Sequence, residues 1–363
     1  MSINFYNLKE QYDDQRFEIM TAIHEVAVDG QFFANSAVSK FESLVSSLYN
    51  KASCVATNSG TSALVVALKA ANLPLNSIVA VPAMTYVATA NAVVAAGHCP
   101  ICIDIDDTWL MNYDHLERYL VTYKDKIKAV VLVDLYGQGA DLQKFKKLTD
   151  YFNVKLIIDA AQSFELLYDK YHQIDYCDSL ALSFNPLKNL GALGNAGAVL
   201  SKNYTVDQLK KWTVQGKESN GDVVESGFNC RIDAIQAAVL NVKYQKFDDN
   251  MRKKTEISWY YRHALENYVE MPARNYLCTH TNYVFEIAPS NADTVRSALS
   301  EAGIEFASHY IKPIHHLSAF PYYKDHCPKA SSLAGRCISL PNHWHLTANQ
   351  VETVIQVVKL SLA

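Results

Sequence analysis

The sequence is poor in the features that mark several function classes. It has no basic tract: 33 lysines and arginines stand against 37 aspartates and glutamates, a formal net charge of -4. That argues against a nucleic-acid binder that works by neutralising phosphates. Charged residues make up only 19% and hydrophobic ones 49%, which supports a large core and excludes wholesale disorder. The opening residues, Met1-Ser2-Ile3-Asn4-Phe5, carry neither a basic segment nor an apolar run, so no secretory signal is expected. A long uncharged stretch runs from Leu73 to Ile103, and its apolar part, Ile78 to Gly97, has about the length of a membrane span. Pro82, Thr85, Thr89 and Asn91 interrupt it and no basic flank follows, so a buried strand, a turn and a buried helix are expected and no membrane partner.

Nucleotide-binding fingerprints are missing as well. The glycines at 191, 194 and 197 read GxxGxxG and precede a strand instead of opening a helix, and there is no GxxxxGK[ST]. Both absences weigh against a nicotinamide dehydrogenase or a P-loop enzyme. Cysteines number 8 and are scattered. Cys99-Pro100-Ile101-Cys102 has CxxC spacing, but it runs into the strand-like alternation Ile101-Cys102-Ile103-Asp104-Ile105, whereas a redox motif opens a helix. No second pair sits at zinc-site spacing, so no metal site is expected. Buried free thiols in a reducing cytoplasm are the expectation.

What is present is an alternation of short apolar runs and helix-period segments between about residues 50 and 200. The candidate strands are Ser53–Ala56, Ile78–Val81, Cys99–Asp104, Ala129–Leu135, Lys155–Asp159, Leu180–Ser183 and Ala196–Leu200. Leu64, Ala67, Leu68 and Ala71 share one helix face, as do Leu142, Phe145 and Leu148. This is the pattern of an α/β fold with a mostly parallel seven-stranded sheet flanked by helices. After Asp233 the pattern changes. A long helix is expected over Ala234 to Arg262, a strand over Tyr283–Ala288, and a helix over Val295–Ala302 stopped by Gly303. A Pro- and His-rich stretch, His309 to Pro321, follows, and a helix over Gln350–Leu360 closes the chain. A length of 363 residues suits about two domains: a large one over 1–245, beginning with a helical segment, and a smaller C-terminal α+β domain over 246–363.

Ligands of such sheets sit beyond the C-terminal ends of the strands, and both Asp159 and Ser183 occupy such ends. Lys188 follows the turn Ser183-Phe184-Asn185-Pro186-Leu187, 29 residues after Asp159. A lysine and a strand-end aspartate in this order suit a pyridoxal-phosphate site, where the lysine holds the cofactor as a Schiff base and the aspartate keeps the pyridine nitrogen protonated. Taken alone, Lys188 reads as a surface lysine and Asp159 as a helix N-cap. Asn58-Ser59-Gly60-Thr61-Ser62 ends a strand and opens a helix, so its backbone N–H groups suit a phosphate; an ordinary N-cap gives the same pattern. Tyr86, after Val81-Pro82-Ala83-Met84-Thr85, could stack on a flat ring or pack in the core. Gln162 could donate to a ring oxygen or face solvent.

Taken in order, these segments resemble the sugar aminotransferases of the DegT/DnrJ/EryC1/StrS family, whose architecture is the fold type I of pyridoxal-phosphate enzymes. The resemblance runs from Asn7-Leu8 to Ser339-Leu340-Pro341. It is carried by Ser59 through Leu64, Pro82 through Thr89, Leu135-Tyr136-Gly137, Asp159 through Ser163, Ser183 through Gly197, and Gly227 through Arg231, with Pro313-Ile314-His315 matching a later segment. It implies an aminotransferase that converts a nucleotide-linked keto-deoxyhexose to the amino sugar with L-glutamate as donor. Lys188 is the implied catalytic residue. Gly60, Thr61 and Ser183 hold the phosphate, Tyr86 stacks on the ring, Asp159 pairs with the ring nitrogen and Gln162 contacts the ring oxygen. Asn229 matches an asparagine that reaches the phosphate from the neighbouring subunit, implying a homodimer with shared sites. His315 is a substrate-side candidate. The chain departs from the family pattern at Asp134, Ile158 and Asn195-Ala196, which bear on the substrate. The wording Lys188 through Gly194 leans toward 3-keto-6-deoxyhexoses. A 4-keto nucleotide-sugar or cyclitol transaminase is the alternative, and a non-catalytic pyridoxal-binding regulator a more distant one.

Overall fold

The computed structural model describes residues 2–33, 35–320 and 326–362; Pro321, the expected end of the Pro- and His-rich stretch, lies outside them. In chain order the strands of the large region are β1 (Ser53–Thr57), β2 (Ile78–Pro82), β3 (Cys99–Ile103), β4 (Ile127–Val133), β5 (Lys155–Asp159), the short hairpin β6 (Leu167–Tyr168) and β7 (Tyr171–His172), β8 (Ser179–Ser183) and β9 (Gly197–Ser201). Seven of them form one sheet in the order β1-β9-β8-β5-β4-β2-β3. Only β9 runs antiparallel to its neighbours; the other pairings are parallel.

Parallel strands need crossover connections, and the crossovers bury both faces of the sheet. The sequence meets that demand: Val130, Val131, Ile157, Ile158, Leu180 and Leu182 are fully buried, each contributing about 1.5–3 kcal/mol. Pro100, which cannot donate to a ladder, lies on the edge strand β3, where a missing donor is tolerated. The segment Cys99–Cys102 is therefore a strand, as expected, and Cys54, Cys99, Cys177, Cys230, Cys278 and Cys337 are free thiols.

Three helices precede the sheet: α1 (Leu8–Asp13), α2 (Arg16–Asp29) and α3 (Ser36–Leu48). Within it come α4 (Gly60–Ala70), α5 (Val87–Ala95), α6 (Tyr113–Thr122) and α7 (Leu142–Tyr151), and after it α8 (Val206–Thr213), α9 (Ala234–Lys243) and α10 (Phe247–Leu265). The expected single helix over Ala234 to Arg262 is broken. Tyr244–Lys246 is a 3-10 turn, and Lys246 leaves helical geometry at φ -109, ψ 8. Tyr244 and Phe247 stack at 5.9 Å and both meet Phe164. Docking this aromatic cluster on the large core redirects the chain without any Gly or Pro.

Beyond α10, β10 (Phe285–Ile287) pairs antiparallel with β11 (Ile338–Leu340), flanked by α11 (Ala292–Glu301), α12 (Pro328–Leu333) and α13 (Ala348–Leu360). The expected strand Tyr283–Ala288 is thus shorter, because its partner offers only three residues. A second core forms here from α10, α11, α13 and both strands, with Ile3 inserted from the N-terminus. Tyr283, Val284, Ile314, Ala330 and Leu333 pack instead into the core around the large sheet. No helix of the described residues is long and apolar enough to cross a membrane.

Candidate active site

A cavity of about 590 Å³ opens beyond the C-terminal ends of β5 and β8, and its walls include Gly60, Thr61, Tyr86, Asp159, Gln162, Ser183 and Lys188. Seven residues singled out from the sequence are therefore brought to one place by the sheet.

The floor is set by a close approach. A Cβ built on Gly60 would lie 2.6 Å from Ser183 Cβ. Only glycine lets the first turn of α4 sit directly on the end of β8. Ser59 caps this helix, its hydroxyl accepting from the Ser62 N–H at 3.1 Å. The Gly60 and Thr61 N–H groups have no partner within the helix, and with the helix dipole they suit the α4 N-terminus to an anion.

Asp159 ends β5 and is buried. Its Oδ2 accepts from Thr89 Oγ1 at 2.9 Å and its Oδ1 from the Ala161 N–H at 3.2 Å. Burial raises its pKa; the two hydrogen bonds and the charge of Lys188 oppose the rise. Thr89 is held in turn by Thr85, their hydroxyls 2.9 Å apart. These threonines lie four residues apart, so they share a face of α5 and its approach. That spacing was the available sequence signal for a pair the sequence reading passed over. Behind Asp159, Asp134 is buried and accepts from Ser163 at 2.7 Å and from Gln173; burial pushes its pKa up to about 7.

Gln162 is held at both ends of its amide. Its Oε1 accepts from the Tyr136 N–H at 2.6 Å, and its Nε2 donates to Tyr310 Oη at 2.9 Å, which leaves one N–H of the amide free to face the cavity. The run Leu135-Tyr136-Gly137 serves this grip. Tyr136 takes φ 60 in a 3-10 turn, and Gly137, at φ +96, leaves room for Thr281, whose hydroxyl donates to the Gln162 carbonyl at 2.7 Å.

Lys188 enters from the loop after β8. Asn185 shapes that loop, its side chain bonding Asn195 at 2.8 Å and accepting from the Leu187 N–H at 3.0 Å. The Lys188 amine lies 4.2 Å from the centroid of the Tyr283 ring. Tyr283, His309, Tyr310, Phe5 and Tyr6 complete the wall. Burial, and then the charge of Lys188, bring the His309 imidazole down to about 4. No local pattern announced these five; loops and the chain's start deliver them from far along the sequence.

Two expected residues stand apart. Asn229 is exposed and bridges to Val214, outside the cavity wall. His315 is buried in a 3-10 turn, its Nε2 3.1 Å from Ser331 Oγ, and does not line the cavity.

The cavity suits a flat group that is anionic at one end, where α4 begins, and cationic at the other, where Asp159 is costly to bury without a positive partner. A carbonyl on that group would meet the Lys188 amine. Pyridoxal phosphate has all three properties. No cluster of His, Cys, Asp or Glu suited to a metal occurs among the described residues.

Known proteins resemble this chain over nearly its whole length. Over 99% of its length the chain is 30% identical to a UDP-N-acetyl-3-dehydro-α-D-glucosamine 3-aminotransferase of Acidithiobacillus ferrooxidans, covering 98% of that protein. An aminotransferase structure from Brucella abortus superposes with a TM-score of 0.94 at 29% identity, with 99% of each chain covered. DesV of S. venezuelae, solved in complex with a ketimine intermediate, superposes at 0.93 and 27% identity, over 99% of this chain and 98% of that one. The DegT/DnrJ/EryC1/StrS aminotransferase family itself matches residues 13–359: a seven-stranded sheet whose strand ends gather a lysine, a buried aspartate and a helix N-terminus belongs, in this chain, to a member of that family.

Proposed function

We propose that the protein transfers an amino group from L-glutamate to the keto group of a nucleotide-linked keto-deoxyhexose, with pyridoxal phosphate as cofactor. The observation that carries this reading is the convergence of Lys188, buried Asp159 and the α4 N-terminus on one cavity. Gly60, Thr61 and Ser183 hold the phosphate, Tyr86 covers the ring and Gln162 faces its oxygen. When bound, the cofactor supplies an electron sink that makes a substrate C–H bond acidic. Lys188 moves the proton at its Nζ between the substrate carbon and the cofactor. Asp159 keeps its carboxylate toward the ring nitrogen, with Thr89 fixing Oδ2. The aromatic wall of Phe5, Tyr6, Tyr283 and Tyr310 excludes water.

The 3-keto position is favoured. Relatives named for 3-amination include, besides the A. ferrooxidans protein, a dTDP-3-amino-3,6-dideoxy-α-D-galactopyranose transaminase of Aneurinibacillus thermoaerophilus, 27% identical. The working unit is a homodimer in which Asn229, exposed and outside its own cavity, reaches the partner's phosphate site. The large domain spans 1–245 and the small one 246–363, and the enzyme works in the cytoplasm, as its free thiols suit.

The test is a panel of UDP- and dTDP-linked 3-keto and 4-keto hexoses, incubated with L-glutamate labelled at its amine nitrogen and read by mass spectrometry. Labelled nitrogen is expected in a 3-keto sugar. Transfer only to 4-keto sugars would overturn the positional assignment, and transfer to none would overturn the substrate class.

A further inference from the structure

Helix α10 sends one lysine into the protein. Lys254 is buried, and no ion pair among the described residues includes it. Its ammonium donates to Asn189 Oδ1 at 2.7 Å and to the Tyr283 carbonyl at 2.9 Å. Both acceptors are neutral, so no opposite charge offsets the cost of burial, and its pKa is brought down to about 7. An apolar side chain of similar volume would fill this space at lower cost. What Lys254 adds must therefore come from the two hydrogen bonds.

Both bonds lead to Lys188. Asn189 is the next residue in the chain, and its side chain is also tied at its other end, Nδ2 donating to the Thr281 carbonyl at 2.8 Å. Tyr283 carries the ring over which the Lys188 amine lies, 4.2 Å from the centroid. Lys254 thus restrains, from a single atom, the backbone on one side of Lys188 and the surface against which its amine rests. Thr281 links the same network to Gln162. A charged Lys254 has three N–H donors and a neutral one has two, so both restraints survive a change of its proton count.

We propose that Lys254 is a positioning residue for Lys188: through Asn189 and Tyr283 it presents the Lys188 amine to the cavity in one orientation. The inference rests on the reading of Lys188 as the lysine that bears the cofactor. A misplacement of about 1 Å at a reacting atom costs up to about a hundredfold in rate.

The experiment uses the holoenzyme with Lys254→Met, Asn189→Leu, the double variant and Asn189→Asp. Visible circular dichroism of bound pyridoxal phosphate reports its orientation, kcat and KM for glutamate report the reaction, and thermal melting reports folding. Each single variant is expected to lose visible dichroism and to lower kcat by about ten- to hundredfold while KM stays within about threefold. The double variant should be no worse than the poorer single one, because the two residues act as a unit. Asn189→Asp keeps the acceptor for Lys254 and should retain more dichroism and rate than Asn189→Leu, a comparison that stands even if Lys254→Met does not fold. Wild-type dichroism and kcat in a folded Lys254→Met, additive losses in the double variant, or Asn189→Asp no better than Asn189→Leu would overturn the proposal. A wild-type protein that forms no coloured adduct, or a Lys188→Ala variant that still does, would instead overturn the reading of Lys188.

Discussion

Gly60→Ala is the substitution whose effect the structure sizes most directly. The new Cβ would stand 2.6 Å from Ser183 Cβ, 3.0 Å from Ser183 Oγ and 3.2 Å from Ser183 Cα, whereas ordinary contact begins near 3.4 Å. Ser183 ends a central strand, and its side chain is too short to swing away, so the α4 N-terminus must retreat by roughly 1 Å, an overpacking that costs about 1–3 kcal/mol. If Gly60, Thr61 and Ser183 hold the phosphate as proposed and that cost falls on it, affinity for pyridoxal phosphate drops about 5- to 150-fold. The assay is titration of the apo-protein with pyridoxal phosphate, followed by visible absorbance, with thermal melting beside it. Gly194→Ala is the control. There the new Cβ meets only the far end of Gln236, at 3.2 Å, which can turn aside. Gly60→Ala that binds the cofactor within about twofold of wild type, in a folded protein, would refute the account of the phosphate site.

Three further outcomes are expected. Thr89→Val removes a donor to Asp159 Oδ2 and should weaken cofactor binding about tenfold, the usual loss for a hydrogen bond to a charged group; equilibrium titration checks it. Asp134 has its folded pKa raised to about 7, above its unfolded value, so the stability it contributes is fully present below about pH 4 and is lost as pH rises through about 7. Asp134→Asn should therefore flatten that part of the apo-protein's stability–pH profile, and an unchanged profile would count against the buried carboxyl. Finally, if Asn229 completes the partner's site as proposed, mixing Lys188→Ala with Asn229→Ala chains should give more activity than either variant alone, since a mixed dimer would combine the intact Lys188 of one chain with the intact Asn229 of the other; no recovery on subunit exchange would place Asn229 outside the partner's site.

How far the sequence could be read depended on how local each signal is. Lys155–Asp159 is a strand over the residues expected, because an apolar run bounded by a charged residue at each end admits little else. The convergence of Asp159, Gln162, Ser183 and Lys188 on one cavity was legible for the same reason: each belongs to a strand end or to the turn that follows. The expected helix over Ala234 to Arg262 is interrupted where nothing in the local sequence marks a break; packing of Tyr244 and Phe247 against Phe164 makes it. Tyr310 and His309 reach the cavity from a loop more than 100 residues beyond Lys188, with no periodicity to mark them. Lys254 has the look of a solvated lysine on a charged helix, and only the fold turns it inward. His315 was singled out from a resembling segment, and the structure buries it beside Ser331 instead of at the cavity wall.

Whether Lys188 carries pyridoxal phosphate over Asp159 is tested most directly by the visible absorption spectrum of the purified protein, before and after L-glutamate. A yellow band that glutamate discharges in the wild type, and that Lys188→Ala never forms, is the predicted result. A protein that stays colourless with added pyridoxal phosphate would contradict it.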